Sequence, residues 1–268
     1  MDSRHHTKLM GILNCTPDSF SDGGSFLAAD AALQRAEEMV REGADIIDVG
    51  GESTRPGSSF VSAEEEMERV LPVIEGIRRN LEVPVSVDTY KAEVAKEAIR
   101  AGASIINDIH GMRFDNGEMA KVVAEAGVPC VLMHFREKSS YSDLKKEVME
   151  DLNESIRIAK AAGIKEENII LDPGIGFGKT PEENLILLGE LSLLKQTGFP
   201  CLLGTSRKSV IGFALDLPVG ERLEGTLATT ALAVLAGYEY VRVHDVKENA
   251  RFIKMLEAVL WTRSGSGA

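Results

Sequence analysis

The stretch VPVSVDTYKAEVAKEAIRAGASIIND, residues 83–108, contains one complete strand–helix–strand unit. Its apolar run at 83–87 and the pair Ile105-Ile106 indicate buried strands, and the charged periodic segment 91–101 between them predicts a helix. Gly102 follows the last helical turn, where a residue without a β-carbon adopts the left-handed cap conformation freely. Strands that alternate with helices predict parallel pairing.

The same unit recurs along the chain. Apolar runs that predict strands lie at residues 9–13, 46–49, 83–87, 105–106, 128–133, 169–171, 201–203 and 240–243. Helical patterns lie at residues 31–42, 63–80, 91–101, 118–126, 142–162, 181–195, 224–236 and 247–259. Eight strand–helix pairs favour a (β/α)8 TIM barrel, an α/β fold, with a doubly wound open sheet as the alternative. Since no linker divides the body, we expect one domain over residues 1–263 and a short tail at 264–268.

Composition limits the possible partners. The chain has 268 residues and a formal net charge of −12, which argues against nucleic acid or an anionic membrane surface as a partner. The sequence has no apolar run of about 18 residues and no stretch typical of a signal peptide near residue 1. Its three cysteines lack paired metal-type spacing and fit a reducing compartment, so we expect a cytoplasmic protein. Cys130 and Cys201 fall in strand-like runs and are expected to be buried.

Polar side chains stand where the apolar runs end, and in a barrel these ends meet at one rim. They are Asn14, Asp48, Asp88, Asn107, Asp108, His134, Asp172, Ser206, Arg242 and His244. A single Asp or Asn at such a place commonly caps a turn, and we favour this interpretation for Asp108. The repetition over seven strands favours a functional rim instead. Because side chains alternate along a strand, Arg242 and His244 are expected to face away from Val241 and Val243.

Two loops combine groups that bind anions. Residues 48–57, DVGGESTRPG, contain glycines, hydroxyls and a guanidinium, and residues 204–209, GTSRKS, place two cations before a helix-like stretch. Backbone N–H groups in such turns, with Arg and Lys, suit phosphate or carboxylate. The glycine run at 174–179, GIGFGK, follows Asp172-Pro173 and enters a helix through Thr180-Pro181, which differs from a nucleotide-binding loop. A kinase is therefore disfavoured.

Several multi-residue motifs, in order along nearly the whole chain, resemble those of the bacterial dihydropteroate synthases. They are MGILNCTPDSFSDGG (10–24), DIIDVGGESTRPG (45–57), VDTYK (87–91), IINDI (105–109), LDPGIGFGK (171–179), GTSRKS (204–209) and RVHDV (242–246). None is decisive singly, but together they are specific. The chain departs from the family pattern after the fifth predicted strand, where residues 133–138 are MHFREK.

The resemblance implies a (β/α)8 barrel that joins 6-hydroxymethyl-7,8-dihydropterin diphosphate to p-aminobenzoate, giving 7,8-dihydropteroate and pyrophosphate in folate biosynthesis. It also implies Mg²⁺ as a cofactor and a homodimer. The residues that it assigns to the pterin are Asp88, Asn107, Asp172, Lys208 and Arg242. Those that it assigns to the diphosphate are Asn14, Thr54, Arg242 and His244, with Asn14 as a metal ligand. Those that it assigns to p-aminobenzoate are Arg55, Phe177, Ser206 and Lys208, and the implied catalytic residues are Asn14, Lys208, Arg242 and His244.

The chemistry of these side chains agrees with the implied substrates. A carboxylate such as Asp172 can accept hydrogen bonds from both the exocyclic amine and a ring N–H of a pterin. Buried carboxylates without partners are costly, so in the empty site we expect ion pairs with Lys208 or Arg207.

Two alternatives stay open at this point. One is a pterin barrel that transfers a methyl group from methyltetrahydrofolate to a corrinoid, which needs the pterin carboxylates but no diphosphate site. The Thr54-Arg55 pair and residues 207–209 favour the synthase over it. The other is a non-catalytic pterin-binding paralogue, which could lose Asn14 or Lys208, and both are present.

Overall fold

The chain, in a computed structural model, is described over residues 6–16, 25–53 and 60–265. Parallel strands alternate with helices in these ranges. The strands are β1 (Lys8–Asn14), β2 (Ile46–Gly50), β3 (Val85–Asp88), β4 (Ile105–Asp108), β5 (Cys130–Met133), β6 (Ile169–Asp172), β7 (Leu202–Leu203) and β8 (Tyr240–Val243). The helices are α1 (Ser25–Glu42), α2 (Ala63–Asn80), α3 (Ala92–Ala101), α4 (Glu118–Ala126), α5 (Leu144–Ala161), α6 (Pro181–Leu188), α7 (Ser192–Lys195), α8 (Ser209–Leu215), α9 (Leu223–Ala236) and α10 (Val246–Gly265).

The strands form one sheet whose two ends meet. Neighbours in the sheet follow the order β6-β5-β4-β3-β2-β1-β8-β7, so β1 pairs with both β2 and β8. At the two ends of this order Leu171 pairs with Cys201, and the Leu171 N–H donates to the Pro200 carbonyl at 2.9 Å. The sheet therefore closes into a (β/α)8 barrel. The predicted fold class is confirmed, and the doubly wound alternative is wrong.

Alternation along the strands gives the barrel interior two layers. An apolar layer fills its lower part and consists of Met10, Ile46, Ile105, Val131, Ile170, Leu202 and Tyr240. Two residues further along β2, β4, β6 and β8 come Asp48, Asn107, Asp172 and Arg242. A polar layer thus lies directly above the apolar one, at the carboxyl ends of the strands. The larger apolar core lies between the strands and the helices and includes Val241 and Val243, as the alternation predicts.

Capping residues fix where the helices begin and end. The side chains of Ser62, Asp143 and Thr180 accept backbone N–H groups in the first turns of α2, α5 and α6. The glycines that the sequence places after helices have positive φ, as expected for left-handed caps; they are Gly43, Gly102, Gly127, Gly163 and Gly237. Each cap turns the chain back toward the lower end of the next strand.

Two further features concern the environment of the chain. Among the helices described here, none combines the length and apolar character needed to span a membrane. Cys15, Cys130 and Cys201 are free and buried, and burial raises the pKa of each thiol to about 12. The three thiols therefore pack as small hydrophobic groups, which confirms the prediction for Cys130 and Cys201.

Candidate active site at the carboxyl ends of the strands

A cavity of about 630 Å³ opens above the polar layer of the barrel. Nine of the residues predicted from the sequence line it: Asn14, Asp88, Asn107, Asp172, Phe177, Ser206, Lys208, Arg242 and His244. They come from the ends of six different strands, so only the closed barrel brings them together. Thr54 and Arg55 lie outside the described residues.

The Arg242 guanidinium lines the cavity and is held between two carboxylates. Its Nε donates to Asp48 Oδ2 and its Nη2 to Asp88 Oδ2, each at 2.6 Å. Burial opposes the charge on Arg242, but Asp48 and Asp88 outweigh it and raise the pKa of the guanidinium. Arg242 therefore stays charged in the interior and points where the strand alternation places it.

Asp48, which the sequence analysis placed in the rim without a specific role, is a partner of Arg242. Its side chain is fully buried, and besides Arg242 it accepts a hydrogen bond from Asn107 Nδ2 at 3.4 Å. The signal was available, since Asp48 stands two residues after the interior Ile46 on the same strand. Asp48 orients the guanidinium from below.

Asp88 has one oxygen paired and one without a partner. Its Oδ1 is buried and makes no hydrogen bond within the described protein, and the same holds for Asp48 Oδ1. Burial raises the pKa of the Asp88 carboxyl to about 7, although Arg242 opposes the rise. A buried acceptor of this kind is costly unless a ligand supplies a donor.

Asp172 and Lys208 approach the cavity from its opposite wall. Asp172 Oδ1 accepts from the Gly174 N–H at 2.7 Å. Burial raises the pKa of Asp172, with Lys208 as the main opposing influence. Lys208 Nζ donates to the Ile175 carbonyl at 2.5 Å and lies 4.5 Å from the centroid of the Phe177 ring.

The ion pairs therefore differ from those expected. Arg207 binds Asp245 through both Nε and Nη2, and Lys208 donates to a backbone carbonyl, whereas the guanidinium that pairs with Asp48 and Asp88 is Arg242. Arg207, whose φ is +57, is directed toward Asp245 at the start of α10, away from the carboxylates of the polar layer. Burial lowers the pKa of Lys208 to about 8, with Asp172 opposing.

Ser206 and His244 form a pair at the rim. Ser206 Oγ lies 3.0 Å from His244 Nδ1 and accepts from the His244 N–H at 3.1 Å. This contact orients the imidazole, and Ser206 is itself buried. Both residues line the cavity near Arg242, which puts a hydroxyl, an imidazole and a guanidinium on one side of it.

Three rim residues serve structural roles instead. Asp108 accepts from the N–H groups of His110 at 2.8 Å and Met112 at 2.6 Å, so it caps a turn as expected. His134 contacts Asp151 and Lys179 on the side of the β5 and β6 loops. Glu52, which the sequence analysis left without a role, lines the cavity and pairs with the buried Lys91.

Asn14, the residue predicted to bind a metal ion, lines the cavity and offers an amide oxygen there. Among the residues described, no three or more His, Cys, Asp or Glu side chains are grouped to hold a metal. Mg²⁺ often keeps several waters and binds through one or two protein oxygens together with substrate phosphates. The donor set thus fits an ion that is bound jointly with a phosphorylated substrate, with Asn14 supplying one oxygen.

Comparison with known proteins places this geometry in a class. The family model described as pterin binding enzyme matches residues 10–244, and the chain therefore belongs to the pterin-binding enzymes. Within this class its relatives are dihydropteroate synthases: the one from Clostridium beijerinckii is 57% identical over 255 residues, covering 95% of this chain and 94% of that protein.

Solved structures give the same result. The dihydropteroate synthase of Clostridium difficile, crystallised in the presence of pteroic acid, has a TM-score of 0.93 at 48% identity and covers 97% of this chain and 98% of its own. That of Xanthomonas albilineans with 4-aminobenzoic acid has a TM-score of 0.91 at 42% identity, covering 95% and 93%.

Proposed function

We propose that this chain is a dihydropteroate synthase, which condenses 6-hydroxymethyl-7,8-dihydropterin diphosphate with p-aminobenzoate to give 7,8-dihydropteroate and pyrophosphate. The observation that carries the proposal is the polar layer of the barrel, where the unpartnered Oδ1 of Asp88 and the side chains of Lys208, Arg242 and His244 border one cavity. The relatives crystallised with pteroic acid and with 4-aminobenzoic acid support it.

The pterin is assigned to the floor of the cavity. Its amino-pyrimidinone edge offers N–H donors, and the acceptors in reach are Asp172, the unpartnered Oδ1 of Asp88 and the amide of Asn107. A carboxylate that accepts two N–H groups makes the strong, charge-assisted form of hydrogen bond. Arg242 and Lys208 border the same space and cover the ring.

The diphosphate is assigned to the rim, where positive charge collects. Arg242 and His244 line the volume above the pterin, and we add Thr54 from the sequence motif. When bound, Mg²⁺ acts as a Lewis acid on the diphosphate oxygens, with Asn14 as a protein ligand. Arg242 and His244 stabilise the charge that develops on the leaving group, an electrostatic contribution that is often the largest one in catalysis.

The bond changes need no protein nucleophile. The bond between the pterin methylene carbon and the diphosphate oxygen breaks, and its electron pair leaves with pyrophosphate. The electron-rich pterin stabilises the positive charge left on the methylene group. The amine nitrogen of p-aminobenzoate then forms the new bond to this carbon and releases one proton to solvent.

The p-aminobenzoate site is assigned to the outer part of the cavity. Phe177 offers an aromatic face, and Lys208 lies against that face with its ammonium group. Ser206 adds a hydroxyl nearby, and we assign Arg55 to the same half of the reaction from its motif. A small ring with one carboxylate fits such a combination of apolar and cationic groups.

We also propose a cytoplasmic homodimer. Exposed apolar side chains collect on three neighbouring helices, and this α6–α8–α9 face consists of Leu185, Ile186, Phe213, Leu215, Leu232 and Leu235. Exposed apolar side chains gathered on neighbouring helices support an interface at this face. The three buried free thiols fit a reducing compartment.

One assay tests the function. Pyrophosphate release is measured with both substrates, with each alone, and with both in the presence of EDTA. We expect release with both substrates and Mg²⁺, together with formation of 7,8-dihydropteroate by mass spectrometry. The absence of product with both substrates and Mg²⁺, in a protein that is folded by circular dichroism, would remove the proposed activity.

A further inference from the structure

The loop after β6 is packed directly onto the loop after β5. Gly174 and Gly178 have φ of +65 and +57, and a β-carbon on either would collide with a backbone carbonyl oxygen, that of His134 or Arg136 respectively. The two loops therefore form one unit. Phe177, which borders the cavity, lies between these two contact points.

Lys179 holds this unit from inside. Its Nζ donates to the carbonyls of Gly174 at 2.9 Å and Phe177 at 3.0 Å, and lies 2.8 Å from His134 Nδ1. An ammonium group has three N–H donors, and in the protonated side chain they meet three acceptors. Burial lowers the pKa of Lys179 to about 7, with Asp172 opposing. The side chain thus fixes both ends of the segment that carries the Phe177 ring.

His134 transmits this contact to α5. Because Nδ1 accepts from Lys179, the ring proton sits on Nε2, which donates to Asp151 Oδ2 at 3.0 Å. Burial and the neighbouring Lys179 lower the pKa of His134 to about 3, so the ring stays neutral. Asp151 is fixed in turn by Arg136 Nε at 2.7 Å.

A second lysine holds the same segment from the cavity side. Lys208 Nζ donates to the Ile175 carbonyl, between the two carbonyls that Lys179 binds, and lies against the Phe177 ring. The position of the ring is therefore set by two cations, one inside the cavity and one behind it. Only Lys208 lines the cavity, so Lys179 acts through the loop.

We propose that Lys179, supported by His134 and Asp151, is a positioning residue that sets the Phe177 segment for the aromatic amine substrate. The inference rests on the proposed function for the identity of that substrate. Three of the pterin groups, Asp88, Asn107 and Arg242, belong to other strands. The other two, Asp172 and Lys208, hydrogen-bond to the backbone of the loop through the Gly174 N–H and the Ile175 carbonyl, so loss of Lys179 should affect the second substrate more than the first.

Steady-state kinetics test the proposal with matched variants. Lys179→Met removes the donors and keeps the length of the side chain, and Lys138→Met changes an exposed lysine in the adjacent loop. We expect Lys179→Met to raise KM for p-aminobenzoate on the order of tenfold, the effect of losing charged hydrogen bonds. The KM for the pterin diphosphate should change less than about twofold, and Lys138→Met should match the wild type. Equal changes in both KM values would indicate a general structural defect and overturn the proposal.

Variants of His134 and a double variant with Phe177 test the contacts of Lys179 one by one. His134→Gln retains one acceptor and one donor and should keep most of the wild-type KM, whereas His134→Leu should follow Lys179→Met. The double variant Lys179→Met with Phe177→Ala should show less than the sum of the two single effects, because both act on one segment. Additive effects would contradict action through Phe177.

Hydrogen exchange provides a readout that needs no substrate. Amides in residues 173–178 should exchange at least about tenfold faster in Lys179→Met than in the wild type and in Lys138→Met. Unchanged exchange would overturn the proposal even if the enzyme assay gave no product, whereas failed turnover of the wild type with faster exchange in the variant would count against the proposed activity alone.

Discussion

Two carboxylates of the polar layer are costly in folding free energy, and the free oxygen of one of them is available to a ligand. Asp48 and Asp88 are buried carboxylates that share one guanidinium, and each keeps an oxygen without a partner. In a protein with only structural demands, such acceptors would be destabilising. Asp88 lines the cavity, where a ligand with N–H donors offsets that cost on binding. Asp48 lies outside the cavity lining and orients Arg242.

Asp172 gives the most direct test of pterin recognition at this scale. Asp172→Asn replaces a carboxylate that accepts two N–H groups by an amide that can accept at one oxygen only. We expect the affinity for the pterin diphosphate to fall by about 2 kcal/mol, roughly 30-fold in Kd, by calorimetry. Asp108→Asn is the control, since Asp108 is equally buried and only caps a turn. Unchanged affinity in Asp172→Asn would remove this residue from the pterin site.

Lys208 predicts the pH dependence of the free enzyme. Its pKa is lowered to about 8 by burial, with Asp172 opposing, so the ammonium group loses its charge as pH rises through about 8. We therefore expect kcat/KM for the pterin diphosphate to fall above pH 8, since this parameter reports ionisations of the free enzyme. Arg242, Asp88 and Asp172 also face Lys208, and a variant isolates its contribution. In Lys208→Met, kcat/KM for the pterin diphosphate should be lower and should not change with pH above about 8. If kcat/KM of this variant still falls above pH 8, the ionisation belongs to another group.

At the scale of elements, periodicity and caps predicted most of the architecture. The predicted bounds of α2, α4 and β8 agree with the structure, because Ser62, Gly127 and the strand alternation are local signals. The segment 181–195 was predicted as one helix and is two, α6 and α7, since the chain turns after Leu188 at Gly189-Glu190. The seven-residue α8 follows the cations at 207–208, where the sequence indicated a helix-like stretch but gave no bounds, because two turns are too short for a periodic signal.

The sequence predicted which side chains line the candidate site but not which of them form ion pairs. Strand ends could be recognised from the sequence, so the side chains that line the cavity were identified. Their partners depend on closure of the barrel, since Arg242 lies 194 residues from Asp48 and 154 from Asp88 along the chain. Local patterns carry no information about such contacts, which explains why ion pairs with Lys208 or Arg207 were expected.

The loop after β6 provides a test of close backbone approach with a matched control. Gly174 and Gly127 have nearly the same φ, +65 and +66, but a β-carbon at Gly174 meets the His134 carbonyl, whereas one at Gly127 meets nothing within 4 Å. Gly127→Ala should therefore cost about 1 kcal/mol of unfolding free energy, from backbone strain alone. Gly174→Ala should cost at least about 3 kcal/mol, since the collision adds to the strain. Chemical denaturation measures both, and equal costs would show that the two loops are not in fixed contact.

At the scale of the whole molecule, α9 has an unusual distribution of side chains. The side facing the protein carries Thr226, Thr229 and Thr230, whose hydroxyls are hydrogen-bonded, while Leu232 and Leu235 are exposed. A surface helix normally has its apolar residues inside and its polar residues outside. Ala233 and Val234 are buried on the inner side as well, so the last turns of α9 are apolar both inside and outside. This distribution favours a second apolar environment, which the partner in a homodimer would supply.

The proposed dimer leads to a test on the α6–α8–α9 face. Leu235 is 61% exposed and Phe213 is 52% exposed, so a glutamate at either position is tolerated in a monomer. In an apolar interface the same charge would be buried without a partner, at a cost of several kcal/mol. We expect Leu235→Glu and Phe213→Glu to raise the dimer dissociation constant by roughly two orders of magnitude or more in sedimentation equilibrium. Phe114→Glu is the control, because Phe114 is 54% exposed and lies in the loop between β4 and α4 rather than on this face. A wild-type chain that sediments as a monomer, or variants that dimerise as tightly as the wild type, would show that this face serves another purpose.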